Sequence, residues 1–85
     1  MDQRKKILLA DDNSELVEII KNFLFHRGYD VLTACDGKEA LEIIDATAPD
    51  LMVLDLSMPR KDGFDVYAEI FTPAGCPKFP VIVMT

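Results

Sequence analysis

Asp50-Leu51-Met52-Val53-Leu54-Asp55 is the stretch on which the reading of this chain turns. Four apolar residues in a row, bounded by polar ones, predict a strand buried on both faces, as in a parallel sheet covered by helices. Asp55 then stands where a central strand leaves the sheet. A carboxylate at that point either caps a helix or awaits a ligand. The residues that follow, Leu56-Ser57-Met58-Pro59-Arg60-Lys61-Asp62-Gly63, are loop-like before anything helical begins, which argues against the cap. Asp55 is therefore the leading candidate for chemistry.

Upstream, Ile7-Leu8-Leu9-Ala10 is a second wholly apolar run, ended by Asp11-Asp12, and reads as the first strand. Asp12-Asn13-Ser14 offers several N-cap side chains, with Glu15 favourably placed at the helix start. Leu16, Ile19, Ile20, Phe23 and Leu24 recur at helical spacing and predict one apolar face; Arg27 and Gly28 suit the C-terminus. Tyr29 to Ala34 reads as an edge strand and Cys35-Asp36-Gly37 as a turn. Lys38 to Ala48 reads as a helix with Ala40, Leu41, Ile44 and Ala48 on one face, stopped by Pro49. Downstream of the loop, Phe64 to Phe71 reads as a short helix and Pro80 to Thr85 as a fourth strand.

The resulting order, βαβαβαβ, implies an α/β fold: a doubly wound parallel sheet with right-handed crossovers. Strands one and three are the most apolar and belong in the centre, so the predicted order is 2-1-3-4. In such sheets ligands bind beyond the carboxyl ends of the strands, at the switch point between strands one and three. Asp11 and Asp12 end one of those strands and Asp55 the other, with Thr85 at the matching end of strand four. Capping a helix accounts for one of Asp11 and Asp12, but poorly for both.

Three carboxylates in one crevice repel, so they raise a pKa or draw in a cation. The group is all oxygen, with no His or Cys, which favours a hard ion: Mg²⁺, with Mn²⁺ as the alternative. An Asp can also attack phosphorus and form an acyl phosphate, and a divalent ion neutralises the charge that develops there. Thr85 Oγ is positioned to meet a phosphoryl oxygen carried by Asp55.

Composition narrows the partners. The chain has 85 residues, enough for one small domain, and is 49% hydrophobic and 28% charged, which is far from a disordered composition. Nine basic residues against fifteen acidic ones leave a net charge of −6, which disfavours nucleic acid or an anionic membrane as partner. No apolar run approaches the ~20 residues of a membrane helix, and the N-terminus has no signal-peptide pattern. Cys35 and Cys76 lack metal-ligand spacing and read as reduced thiols, so the expected location is cytoplasmic. His26, near a helix end, reads as a surface residue favoured by the helix dipole.

Leu9-Ala10-Asp11-Asp12-Asn13, Val53-Leu54-Asp55-Leu56-Ser57-Met58-Pro59, Asp62-Gly63 and the strand ending in Thr85 together resemble the receiver domain of bacterial two-component response regulators. The resemblance runs through the whole chain, in order. It implies a flavodoxin-like sheet, and Asp55 as acceptor of a phosphoryl group from a sensor histidine kinase or phosphotransfer protein. It implies Mg²⁺ held by Asp12 and Asp55, by Asp11 through water, and by the backbone carbonyl of Ser57. Thr85 is implied as the switch hydroxyl that moves toward the phosphoryl group. It also implies a signalling phosphoryl acceptor rather than an enzyme with an external product.

The family pattern adds a fourth helix, a fifth strand and a fifth helix, so residues 1–85 are expected to form an incomplete receiver domain. The family's lysine at the end of strand five has no counterpart, and neither Lys61 nor Lys78 is assigned its role. With the fifth strand and last two helices absent, Val81-Ile82-Val83-Met84 is an uncovered edge, and part of the sheet and first helix loses its cover. Self-association is expected from that.

Three other functions compete. A haloacid-dehalogenase-type hydrolase needs a second carboxylate two residues after the nucleophile, where this chain has Ser57. A flavodoxin-like mononucleotide binder needs a Ser/Thr/Gly-rich phosphate loop after strand one, where Asp11-Asp12 stands. The remaining alternative is a phosphorylation-incompetent fragment that acts only through self-association or partner binding.

Overall fold

In the computed structural model, residues 4–56, Val66, Ala68 and residues 79–84 are described. Two amphipathic helices and four short strands alternate as the apolar runs predict: β1 (Lys6–Ala10), α1 (Ser14–His26), β2 (Asp30–Ala34), α2 (Gly37–Thr47), β3 (Leu51–Asp55) and β4 (Val81–Met84). All pairings are parallel, and the order is β2-β1-β3-β4. Val66 and Ala68 are helical; the rest of the expected 64–71 helix lies outside the described residues.

Local chemistry starts and stops each helix. Asn13 caps α1, its side chain accepting from the Leu16 N–H at 3.2 Å. Gly28 follows the helix at φ +97°, a left-handed conformation that costs glycine little. Asp36 caps α2 by accepting from the Glu39 N–H at 2.8 Å, and Glu39 reaches back to accept from the Cys35 N–H at 2.8 Å. This reciprocal pair resembles a capping box. Ala48 ends α2 in the left-handed region at φ 48°, before Pro49. The bounds of α2 thus sit one residue earlier than periodicity alone suggested, because Asp36 is the cap rather than part of a turn.

Register sorts the strand residues onto two faces, since paired neighbours in a parallel ladder share a side. Leu8, Ala10, Met52 and Leu54 share one face with Ala34, and pack with Ala40, Ile44 and Val66 into the main core. Ile7 and Leu9 lie on the opposite face, where α1 crosses and buries Val17. Helices on both faces make the sheet doubly wound.

Two expectations need correcting. Met52 and Leu54 are fully buried, but Leu51 and Val53 are only half-buried, so β3 is enclosed on one face rather than both. The physical reason is that α1 lies over β1 and β2, leaving its side of β3 and β4 with little helical cover. The second concerns α1 itself. Its five periodic apolar residues do not form the buried face: Val17, Ile20 and Leu24 turn inward, while Leu16, Ile19 and Phe23 are exposed. Periodicity identified an apolar side wider than one sheet contact can bury. The expected edge position of β2 holds.

The N-terminal lead is tied down at the opposite end of the sheet from the aspartates. The Arg4 guanidinium donates to the carbonyls of Phe25 and Tyr29 at 2.9 and 3.2 Å, pairs with Asp30 at 3.1 Å and stacks over the Phe25 ring. One cation thereby closes the α1–β2 connection.

Candidate metal and phosphoryl site

The site assembles at the carboxyl ends of β1 and β3 because those two strands pair directly, with Ala10 beside Leu54. The next residue on each strand path is an aspartate. Asp11, Asp12 and Asp55 each offer a carboxylate oxygen within 4.8 Å of the others. Asp11 is buried, Asp55 half-buried and Asp12 exposed, so the cluster grades from protein interior to solvent. The structure thus brings together all three carboxylates that the sequence nominated. Ser57 and Thr85, also nominated, lie outside the described residues. β4 runs alongside, with Met84 in register with Asp55 and the Leu56 N–H donating to the Met84 carbonyl at 3.1 Å.

Asp11 is held from two sides. Its N–H donates to the Ala34 carbonyl at 3.0 Å, and its Oδ1 accepts from the Asn13 N–H at 2.9 Å. The same turn therefore positions the carboxylate and presents Asn13 as the cap of α1. Burial pushes the Asp11 carboxyl above its ordinary pKa, opposed by the Asn13 N–H and reinforced by the charges of Asp55 and Asp12. A hydrogen bond between the Asp11 and Asp55 carboxyls acts in the same direction, since it requires a proton on one of them. Without a cation the cluster is electrostatically strained, and a proton relieves it in part.

The donor set fits a hard divalent ion. It contains only oxygen, it is preformed within ligand-sharing distance, and it mixes one buried carboxylate with two accessible to water, as an ion that keeps part of its hydration shell needs. A shallow cleft of about 290 Å³ opens beside it between the start of α1 and the β2–α2 corner. Its titratable lining is acidic, from Asp11, Asp12, Glu18 and Glu39, with the thiol of Cys35 and no lysine or arginine. A phosphoryl group entering such surroundings meets negative charge unless a cation screens it.

Sequence reasoning did not single out Glu39 or Glu18 as neighbours of the site. Glu39 had a local signal, three residues after a capping aspartate; Glu18 had none, because its approach to the β2–α2 corner depends on how α1 crosses the sheet. Cys35 is a free, exposed thiol beside the Glu39 carboxylate, whose hydrogen bond and charge push the thiol pKa up. It is thus a poor nucleophile at neutral pH.

With the geometry in place, the comparisons with known proteins agree with it. The sequence matches the response regulator receiver domain over residues 7–85, and the chain belongs to that family. It is 40% identical over 81 residues to the alkaline phosphatase synthesis transcriptional regulatory protein PhoP of Bacillus subtilis, covering 95% of this chain and 33% of that protein. Among solved structures, the N-terminal domain of a response regulator receiver protein from Methanoculleus marisnigri superposes with a TM-score of 0.84 at 36% identity, over 94% of this chain and 65% of that one. The chemotaxis response regulator CheY4 of Vibrio cholerae gives 0.86 at 27% identity, over 95% and 68%. The chain therefore spans about a third of the length of the regulator it resembles. Among the described residues, no helix is long and apolar enough to cross a membrane.

Proposed function

We propose that this chain is a phosphorelay receiver in which Asp55 accepts a phosphoryl group from a phosphohistidine of a sensor histidine kinase or phosphotransfer protein. A carboxylate oxygen of Asp55 attacks phosphorus, the P–N bond breaks, and the departing imidazole nitrogen takes up a proton. The observation that carries this reading is the convergence of Asp11, Asp12 and Asp55 within 4.8 Å at adjacent strand ends. Asp11, Asp12, Asp55 and the Ser57 carbonyl are the groups assigned to hold Mg²⁺ or Mn²⁺. The ion supplies charge neutralisation at the transferring phosphoryl group. Asp11, fixed by the Asn13 N–H, keeps the inner side of the cluster rigid, while exposed Asp12 and half-buried Asp55 stay open to solvent and donor. Thr85 is assigned the switch hydroxyl. In this reading the chain works in the cytoplasm, binds no nucleic acid and turns over no external substrate.

The test is incubation with Mg²⁺ and acetyl phosphate, or with beryllofluoride as a phosphoryl stand-in, read by intact mass and by NMR. Mg²⁺-dependent addition to the parent chain that is lost in Asp55→Asn is the expected result. Absence of both Mg²⁺ binding and modification would overturn the reading.

A second reading has its own observation. Ile82 and Val83 of β4 are 53% and 43% exposed, and α1 displays Leu16, Ile19 and Phe23, so apolar surface lies open away from the aspartates. That surface supports self-association, either alongside phosphoryl transfer or in place of it.

A further inference from the structure

The flank of α1 that carries its exposed apolar residues can be located on the sheet. Leu16, Ile19 and Phe23 recur at i, i+3 and i+7 and form one stripe, 37%, 67% and 57% exposed. Phe25 and Lys21, on the other flank, border a cleft at the β2 edge with Val31. Leu24, which faces the sheet, borders a separate cleft with Ile7 and Leu51 on the β3 side. The stripe therefore overlooks β3 and β4. On that part of the sheet, Leu51, Val53 and Ile82 share the face that α1 lies on, and none of them is fully covered.

An apolar ridge beside an apolar groove on the same chain is self-complementary: about a two-fold axis, each copy lays its ridge into the groove of the other. Charge selects the direction. Glu15 stands at the start of the stripe and Arg27 at its end, where the Arg27 guanidinium stacks over the Phe23 ring at 4.7 Å. Antiparallel pairing that sets Leu16 against Phe23 of the second copy puts Glu15 within one helical turn of Arg27 of the second copy. It also opposes the two helix dipoles favourably. A parallel pairing would set Glu15 against Glu15 and Arg27 against Arg27.

We propose that two copies of this chain associate through antiparallel α1–α1 packing, each α1 stripe seated over Val53 and Ile82 of the other copy. This deepens the self-association reading above and rests on it. Sedimentation of the 85-residue chain from micromolar to hundred-micromolar concentration tests it. A reversible dimer is expected, with Phe23→Glu monomeric. Glu15→Lys and Arg27→Glu should each weaken association several-fold, and the double reversal should restore it. Far-UV circular dichroism of each variant controls for folding, which exposed positions leave intact. A parent chain that stays monomeric throughout overturns self-association itself. A dimer indifferent to Phe23→Glu and to the charge reversals overturns this arrangement alone and points to pairing along the β4 edge. Neither result bears on metal binding at the aspartates, which is read separately.

Discussion

At the scale of single residues, the two neighbouring aspartates Asp11 and Asp12 divide the work that the sequence treated as shared. Asp11 is buried and anchored by the Asn13 N–H; Asp12 is exposed. Removing one negative charge from the inner position should therefore stabilise the metal-free chain while weakening its hold on a cation. Asp11→Asn keeps an oxygen for the Asn13 N–H and is expected to raise metal-free stability by up to ~1 kcal/mol, the Coulomb scale for two charges ~4 Å apart in water. Urea unfolding with and without Mg²⁺ measures it, and the Mg²⁺-dependent gain in stability should shrink in the variant. The pH dependence carries the same signature. Because the folded state raises the Asp11 pKa, the native form binds the proton more tightly than the unfolded one. Stability of the metal-free parent should thus rise as pH falls through the raised value and level off below the ordinary carboxylate pKa. Over the same range Mg²⁺ affinity should fall, since the proton and the metal compete. In Asp11→Asn the acid-side gain in stability should be absent.

At the scale of elements, the strands and helices were readable because each combines a periodic apolar pattern with its own start and stop residues. Asn13, Asp36, Gly28 and Pro49 act where they stand in sequence, so their effect needs no knowledge of the fold. Asn13→Ala removes the side-chain acceptor for the Leu16 N–H and should cost ~1 kcal/mol of stability in thermal unfolding. The bond that orients Asp11 comes from the Asn13 backbone, so Mg²⁺ affinity should be nearly unchanged. A large loss of affinity would mean that the cap and the site are coupled through the turn. The part of α1 that could not be read was which side faces inward. Its apolar residues outnumber the positions that a single sheet contact can bury, and helical spacing alone gives Leu16 and Val17 equal claims. The crossing of α1 over β1 and β2 chose Val17.

At the scale of the whole molecule, stability rests on one well-packed layer and one partly covered layer. The first joins Leu8, Ala10, Met52 and Leu54 to Ala40, Ile44 and Val66. Leu54→Ala opens a cavity there and should cost ~2–5 kcal/mol, a large share of the ~5–15 kcal/mol typical of a domain. Val53→Ala, one residue away on the half-covered face, should cost clearly less. Comparing the two midpoints in urea tests the asymmetry between the layers, and equal losses would contradict it.

From the chain alone came the alternation of strand and helix, the order 2-1-3-4, and the meeting of Asp11, Asp12 and Asp55. These depend on runs of apolar residues and on which residue ends each run, information that is local and survives without a fold. Long-range packing decided the rest: that Asp11 is the buried carboxylate, that β3 is enclosed on one face only, and that α1 leaves Leu16, Ile19 and Phe23 to solvent. Burial is a property of neighbours, and neighbours distant in sequence are assigned by how helices cross the sheet, which no local pattern encodes.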